Sequence, residues 1–202
     1  MILTLDDYAA MEKLARVQLA TSLPGPKPIC LVGTRSEAGV SNLAPFSSIT
    51  HLGSSPLLIG MVTRPATVDR HTLQNILDTN SWTLNQVTTD IYEKAHQCAA
   101  RYPTGDSEFT ATGLSEVYHE GIHAPFVGEC AIRYALELEE VINIQANDTK
   151  LIVGKVVRIE LPDGALGEDG TLDLAKLNSV ASTALDTYFS IQSLGRLPYA
   201  KP

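Results

Sequence analysis

Cationic and hydroxyl side chains collect around the start of a predicted helix at positions 68–78. Arg64 precedes this helix, and Arg70, His71 and Thr72 lie at its first turn. Unpaired backbone N–H groups at a helix start bind phosphate, and cationic side chains strengthen that binding. Ordinary helix capping and surface charge would account for the same residues, and the cluster taken alone favours this plainer interpretation.

A second polar group lies on a predicted strand at positions 40–51. Asn42, Ser47 and Ser48 flank Pro45, which lacks the N–H group that a sheet ladder requires. The strand is therefore expected to bulge or to reach a sheet edge at Pro45. Such a kink leaves backbone N–H and C=O groups available to a ligand.

One metal-binding pattern occurs in a context that opposes it. His119, Glu120 and His123 match H-E-x-x-H, which on a helix aligns two imidazoles for zinc. Gly121 disfavours a helix by about 1 kcal/mol relative to alanine, and Pro125 ends any helix soon afterwards. No third ligand stands at the expected spacing. A zinc hydrolase therefore remains only as a third alternative, and we predict no metal site.

Other familiar motifs are missing from the sequence. No G-x-G-x-x-G follows a predicted strand, and neither a G-x-x-x-x-G-K-[ST] loop nor a G-x-S-x-G elbow occurs. Serine, histidine and aspartate are plentiful, but their spacing does not single out a catalytic triad. We therefore predict no catalytic side chain from the motifs.

Charge and composition exclude several classes of partner. The 202 residues carry a formal charge of −8 and are 44% hydrophobic, which suits a globular core. So acidic a chain repels nucleic acid and anionic membranes, which argues against both as partners. No apolar run approaches the roughly 20 residues of a membrane span, and residues 1–22 lack an apolar signal core. Cys30, Cys98 and Cys130 form no C-x-x-C pair, so we expect buried, reduced thiols in a cytoplasmic protein.

Hydrophobic periodicity predicts short strands early and late in the chain, with a few helices between and around them. The predicted strands cover positions 29–35, 40–51, 57–63, 81–87, 132–139 and 150–161. The predicted helices cover positions 6–20, 68–78, 90–101 and 174–188, and positions 102–124 read as irregular. Gly154 is expected to mark a bend in its strand. The order indicates one domain, residues 1–202, that is a mainly antiparallel β-barrel with peripheral helices.

An ordered set of segments resembles the flavin reductase-like, FMN-binding split-barrel family. The segments are PICLVGT (28–34), SNLAPFSS (41–48), RHTLQNI (70–76), EFTATGL (108–114), LIVGKV (151–156) and GRLPY (195–199). Their order and spacing match from about position 20 to position 200. The resemblance implies a mainly β fold with peripheral α-helices, namely a split β-barrel. It also implies a homodimer with one FMN per subunit near the subunit interface.

The resemblance also implies roles for individual residues. Asn42, Leu43 and Ala44 would meet the flavin ring and ribityl chain through side chain and backbone. Ser47 and Ser48 would lie at the ribityl or phosphate end, and the phosphate would be held by Arg64, His71 and Thr72. Either Arg70 or His71 would supply the cation that many family members place there. The loop at 108–114 would cover the flavin or reach the partner subunit.

The expected activity follows from the same resemblance. We expect a cytoplasmic FMN-dependent oxidoreductase that NADH or NADPH reduces and that passes electrons to an unidentified acceptor. The cofactor would carry the redox chemistry and the protein would bind and orient it. The alternative is an FMN-binding electron carrier or flavin store without turnover of its own.

Overall fold

The chain folds mainly as β-strands, with short helices at the periphery of the sheets. The computed structural model describes residues 1–65, 71–103, 105–184 and 186–201. The helices in these ranges are α1 Leu5–Ala10, α2 Lys13–Ser22, α3 His71–Thr79, α4 Tyr92–Gln97 and α5 Glu108–Thr112. The strands are β1 Lys27–Pro28, β2 Cys30–Arg35, β3 Ser41–Phe46, β4 Ile49–Ser54, β5 Leu57–Thr63, β6 Ser81–Gln86, β7 Glu116–Val117, β8 Phe126–Val127, β9 Arg133–Ile144, β10 Thr149–Glu160, β11 Val180–Thr183 and β12 Thr187–Ser190.

The largest sheet must curl, because its two edge strands are neighbours in the chain. Its seven strands run in the order β3-β2-β6-β9-β10-β5-β4, so β3 and β4 are the edges. A flat sheet of this size would hold its edges about 29 Å apart. The link from Phe46 to Ile49 can span only about 11 Å. The sheet therefore bends until these strand ends meet, which gives an open barrel.

Alternate residues of β2 supply two hydrophobic clusters. Leu31 packs in a cluster with Leu43 and Phe109, whereas Cys30 and Val32 pack in the cluster that contains Trp82. This alternation follows from the two-residue period of side chains along a strand. Because β2 lies next to β3, its burial on both sides fixes the position of the edge strand.

Several predicted strands match the structure closely. The third predicted strand, 57–63, coincides with β5. The predicted strand at 40–51 divides into β3 and β4, and Pro45 lies on edge strand β3, as its missing N–H requires. Gly154 adjoins a register shift between β9 and β10, which confirms the predicted bend.

The N-terminal helix prediction was wrong in its extent. The predicted helix at 6–20 is divided into α1 and α2, because Met11 is extended and ends the first helix. Thr4 caps α1, and the side chain of Asp7 bonds back to the Thr4 backbone. This capping box begins the helix earlier than Asp6 or Asp7 would as caps.

Two further helix predictions were wrong. The predicted helix at 174–188 is instead a turn followed by strands β11 and β12. Its β-branched and aromatic residues favour strands, and β11 pairs with both β1 and β12. The predicted helix at 90–101 shortens to α4, with Ile91 at its N-cap and no side-chain capping bond.

Candidate functional site

A buried polar network joins edge strand β3 to the first turn of α3. The Nδ2 group of Asn42 donates to Thr72 Oγ1 at 3.0 Å and to Thr34 Oγ1 at 3.3 Å. Asn75 Nδ2 also donates to Thr34 Oγ1, at 3.1 Å. All four residues are buried. The network therefore fixes the start of α3 against β2 and β3, and it brings together the predicted site residues Asn42 and Thr72.

The middle of β3 carries an unpredicted acidic neighbour. The N–H of Leu43 donates to Glu108 Oε2 at 2.9 Å, across a gap of 65 residues in sequence. Leu43 itself is fully buried. The side chain of Leu43 thus packs in the core and its N–H is bonded to Glu108. A ligand can therefore contact Leu43 only through the carbonyl group, unless the ligand displaces Glu108.

The electrostatic surroundings of Glu108 differ from those of an ordinary surface carboxylate. Burial raises the pKa of Glu108 above its usual value, although the Leu43 N–H bond and the nearby His71 act to lower it. His71 is exposed at the first position of α3. Glu108 therefore contacts the predicted ring-contacting strand and is influenced by a histidine at the predicted phosphate-binding helix start.

The geometry of the ladder explains why β3 tolerates proline. Since Leu43 N–H points to Glu108, away from β2, alternate residues of β3 direct their backbone groups to the outer edge. Pro45, two residues further on, therefore places its missing N–H on that outer edge. Ala44 lies between them, paired with Val32 of β2 and half-buried.

The remaining predicted site residues lie at the other end of β3. Ser47 and Ser48 form the link to β4, and the Ser48 carbonyl accepts from Val62 N at 2.9 Å. Arg64 follows directly after β5 and is exposed. The strand rise places Ser47 about 16 Å from Asn42 along β3. The predicted residues therefore form two groups, one around Asn42, His71 and Thr72 and one around Ser47, Ser48 and Arg64. Arg70 and the predicted helix positions 68–70 lie outside the described residues.

A chain of side-chain contacts attaches the segment around α5 to the start of β3. Ser41 Oγ lies 2.9 Å from Ser107 Oγ and donates to Glu116 Oε1 at 2.6 Å. Glu116 also accepts from the hydroxyl of Tyr118, whose ring lies under the Arg35 guanidinium. The segment predicted to cover the ligand or to reach the partner subunit is thus held against the strand predicted to bind the ligand.

Sequence reasoning missed several polar residues of this site. Thr34, Asn75 and Glu116 received no role from the sequence, and Glu108 appeared only within a covering loop. Asn75 offered one usable signal, because it is three residues from Thr72 and lies between the apolar Leu73 and Ile76 on the buried face of α3. No sequence signal pointed to a role for Glu108, since its partner Leu43 is distant in sequence.

The H-E-x-x-H segment forms a turn rather than a helix. Gly121 has a φ of +79°, which continues no helix. His119 Nε2 lies 2.7 Å from Glu160 Oε1, while His123 Nε2 lies 3.2 Å from the Ser36 carbonyl oxygen. The two imidazoles therefore have different partners. Within the described residues, no group of three or more histidine, cysteine or acidic side chains could hold a metal ion.

The three cysteines are free and buried. Burial raises the pKa of Cys30 to about 12 and that of Cys98 to about 11. These thiols are thus protonated and shielded at neutral pH, which confirms the expectation of buried cysteines.

The arrangement suits an elongated ligand that has polar groups at both ends. Fixed hydroxyl and amide groups stand at the Asn42–Thr72 end, and serine hydroxyls with an exposed guanidinium stand at the Ser47–Arg64 end. The backbone edge between them is partly closed by Glu108. A flavin with its ring, ribityl chain and phosphate has this outline, so the residues present fit such a group.

Comparison with known proteins places the chain among flavin-related proteins. The model of the family described as "Flavin reductase like domain" matches residues 25–179. An uncharacterised protein of Halalkalibacterium halodurans is 31% identical over 169 residues, which cover 81% of this chain and 80% of that protein.

Solved structures show the same fold. A split-barrel protein of Shewanella frigidimarina NCIMB 400, named as a candidate flavin reductase, is 40% identical with a TM-score of 0.95, covering 99% of this chain and 100% of that one. Nitrilotriacetate monooxygenase component B of Bacillus cereus is 22% identical with a TM-score of 0.86, covering 98% and 99% of the two chains. These likenesses confirm the predicted split barrel. No helix among the described residues is long and apolar enough to cross a membrane.

Proposed function

Because the chain belongs to the flavin reductase-like domain family and is a flavin-dependent oxidoreductase, we propose that its flavin is FMN and that NADH or NADPH reduces it. The observation that carries this proposal is the buried bond from Asn42 to Thr72, which holds a helix start beside the open edge of β3. A helix start favours an anion such as the FMN phosphate. When bound, FMN supplies the electron-transfer chemistry.

In this proposal the protein binds and orients the cofactor. Asn42, Leu43 and Ala44 line the ring and ribityl chain, with Leu43 limited to the backbone contacts that Glu108 leaves open. Ser47 and Ser48 bind further along the ligand. The phosphate is assigned to His71, Thr72 and Arg64. Because Arg64 lies with Ser47 and Ser48, about 16 Å along β3 from Asn42, one phosphate contacts either the α3 pair or Arg64 directly, and the Arg64→Ala titration decides between them. Arg70 stays part of the proposed set. We assign no side chain to acid or base catalysis.

Uptake of FMN and its reduction by a nicotinamide test the proposal together. Purified protein that is incubated with FMN and desalted should retain the flavin absorption bands at about one equivalent per chain. Under anaerobic conditions, NADH or NADPH should then bleach those bands. A protein that stays colourless and shows no FMN binding in titration would overturn the proposed cofactor.

The same experiment separates turnover from storage. If dithionite bleaches the bound FMN and neither nicotinamide does, the protein is an electron carrier or flavin store. If either nicotinamide bleaches it, mixing with oxidised acceptors of different classes shows which of them restores the bands and so identifies the electron acceptor.

The proposal extends to assembly and location. Residues 1–202 are taken as one domain, because β2 contributes to both hydrophobic clusters. A homodimer is proposed from the family resemblance and from the apolar side chains that α1 and α2 leave exposed. Three free buried cysteines support a reducing cytoplasm, which also supplies NADH and NADPH.

A further inference from the structure

Glu108 places a carboxylate on the outer edge of the strand that is proposed to meet the flavin. Its Oε2 atom accepts from Leu43 N–H at 2.9 Å. The neighbouring Phe109 is 2% exposed and packs in the same cluster as Leu43. Ser107 lies within hydrogen-bond distance of Ser41, at 2.9 Å between the hydroxyl oxygens. Contacts on both sides of Glu108 therefore hold its carboxylate at this position.

Among the described residues, the Glu108 carboxylate has a hydrogen-bonding partner but no ion-pair partner. Within the described ranges, the ion pairs involve Asp169, Asp173 and Glu160 as acids and do not include Glu108. His71 influences Glu108 electrostatically from the start of α3 without forming a salt bridge in these ranges. The second carboxylate on this edge, Glu116, bonds to the Ser41 hydroxyl. A ligand along β3 thus meets the Glu108 carboxylate at Leu43.

We propose that Glu108 lowers the reduction potential of the bound flavin and so makes the reduced cofactor a stronger electron donor. This inference rests on the proposed function, in which the ring lies along β3. Reduction of FMN adds two electrons and, at neutral pH, one proton, which leaves the ring with an added negative charge. A fixed carboxylate beside the ring repels the reduced form more than the oxidised form, because like charges in a partly buried site interact strongly.

The Glu108→Gln variant isolates this charge. Glutamine keeps an amide oxygen that can accept from Leu43 N–H, so the strand retains its partner. The affinity for reduced FMN should rise about tenfold relative to that for oxidised FMN. For a two-electron couple this is a rise of about 30 mV in the reduction potential. Titration with dithionite beside a reference redox dye measures the potential directly.

Glu129→Gln is the matched control. Glu129 also accepts a backbone N–H bond, from Ser115 at 3.0 Å, but it does not contact β3 in the described residues. Glu129→Gln removes the same charge from the chain as Glu108→Gln does, so the flavin potential of this control variant should stay at the wild-type value. An equal rise in both variants would assign the effect to overall charge and overturn the role of Glu108.

Riboflavin and Glu108→Asp separate a charge effect at the ring from one at the phosphate and from a loss of folding. Riboflavin has the same ring without the phosphate, so the Glu108→Gln shift should persist with it. A shift seen with FMN alone would place the charge at the phosphate and overturn the inference.

Glu108→Asp retains the charge and should stay near the wild-type potential, which provides a comparison even if glutamine impairs folding. An unchanged potential in Glu108→Gln overturns this inference alone, whereas failure of the wild-type protein to take up FMN overturns the proposed function and this inference with it.

Discussion

Arg64 gives the sharpest test of the proposed phosphate site. The protein carries a formal charge of −8, so long-range electrostatics oppose a dianionic ligand and local groups must overcome that repulsion. Arg64 is exposed at the end of β5 and can form two parallel hydrogen bonds to phosphate. Because charge-assisted hydrogen bonds contribute about 1.5–3 kcal/mol each, Arg64→Ala should weaken FMN binding by roughly one to two powers of ten.

Titration of two ligands into two variants decides the role of Arg64. Riboflavin lacks the phosphate, so its affinity should be nearly unchanged in Arg64→Ala. The exposed Arg101 offers a matched control, since Arg101→Ala removes the same charge elsewhere. Equal losses for FMN and riboflavin would mean that Arg64 supports the fold or the ring. No loss for either ligand would overturn the role of Arg64 and leave His71, Thr72 and Arg70 as the proposed phosphate contacts.

Glu108 also makes a prediction for the pH dependence of stability. Burial raises its pKa above the ordinary 4.5, so the folded chain holds the proton more tightly than the unfolded chain. Stability therefore falls as the pH rises from about 4.5 through the raised pKa, and the cost persists above that range. Glu108→Gln removes this cost, so its free energy of unfolding at pH 7 should equal or exceed that of the wild type. Urea denaturation between pH 4 and pH 7 measures the difference.

Glu129→Gln should show the opposite sign in the same experiment. Burial acts to raise the pKa of Glu129, but hydrogen bonds from Ser115 outweigh it and hold the pKa below its ordinary value. Such a group stabilises the fold above its unfolded pKa and loses that effect as the pH falls. The glutamine variant should therefore be less stable than the wild type at pH 7. If the free energy of unfolding of the two variants differed from that of the wild type in the same way at every pH, the raised pKa of Glu108 and the lowered pKa of Glu129 would both be contradicted.

At the scale of elements, Gly154 allows β10 to pass closely over the core. A Cβ atom at this position would overlap with the ring carbons of Trp82 and press on Leu136. Gly154→Ala should therefore reduce the free energy of unfolding by about 1–3 kcal/mol, the usual cost of overpacking a core. Urea denaturation checks this, and FMN uptake should survive where the variant still folds.

Gly53 supplies the control for that substitution. It also lies in a strand beside a register shift, in β4, but a Cβ atom there would meet only the Pro56 carbonyl oxygen at 3.4 Å. Gly53→Ala should leave stability unchanged or raise it slightly, because alanine restricts the unfolded chain. A comparable loss at both positions would show that glycine flexibility, rather than the Trp82 contact, governs β10.

The elements that sequence predicts well are those with local signals. The apolar run of β5 and the missing N–H of Pro45 each identify their structure without knowledge of distant residues. The predicted helix at 174–188 failed because helical spacing of its apolar residues competed with pairing to β1, more than 150 positions earlier. Non-local pairing of this kind overrides a local periodic pattern.

The sequence predicts the candidate site only in part, as it does the secondary-structure elements. The resemblance supplied Asn42 and Thr72 separately, but their bond joins positions that are 30 residues apart and is seen only in the fold. Glu108 reaches Leu43 over 65 residues, so neither motif nor periodicity could place a carboxylate on β3. The chemistry of individual residues is thus readable from sequence, whereas the charge surrounding them depends on the topology.

At the scale of the whole molecule, the N-terminal helices lack a complete packing surface within one chain. Neither α1 nor α2 contains a buried residue, and Leu5, Leu14 and Leu23 are 85%, 65% and 75% exposed. Helices of 6 and 10 residues are marginal in water unless an apolar face packs against something. The family resemblance supports a second copy of the chain as the partner, so we predict a two-fold homodimer at micromolar concentration.

Light scattering tests the assembly and the surface together. The wild-type protein should have twice the mass of one chain, and Leu14→Glu should shift it towards a monomer, because a charge in an apolar interface loses its hydration. Leu166→Glu is the control, since Leu166 is 58% exposed in the separate loop at 163–170 and should leave the mass unchanged. A monomeric wild type would contradict the dimer. If Leu14→Glu is still a dimer, the assembly is correct but α2 is not part of its interface. The exposed apolar side chains of the tail and of β12 would then be the next surface to test.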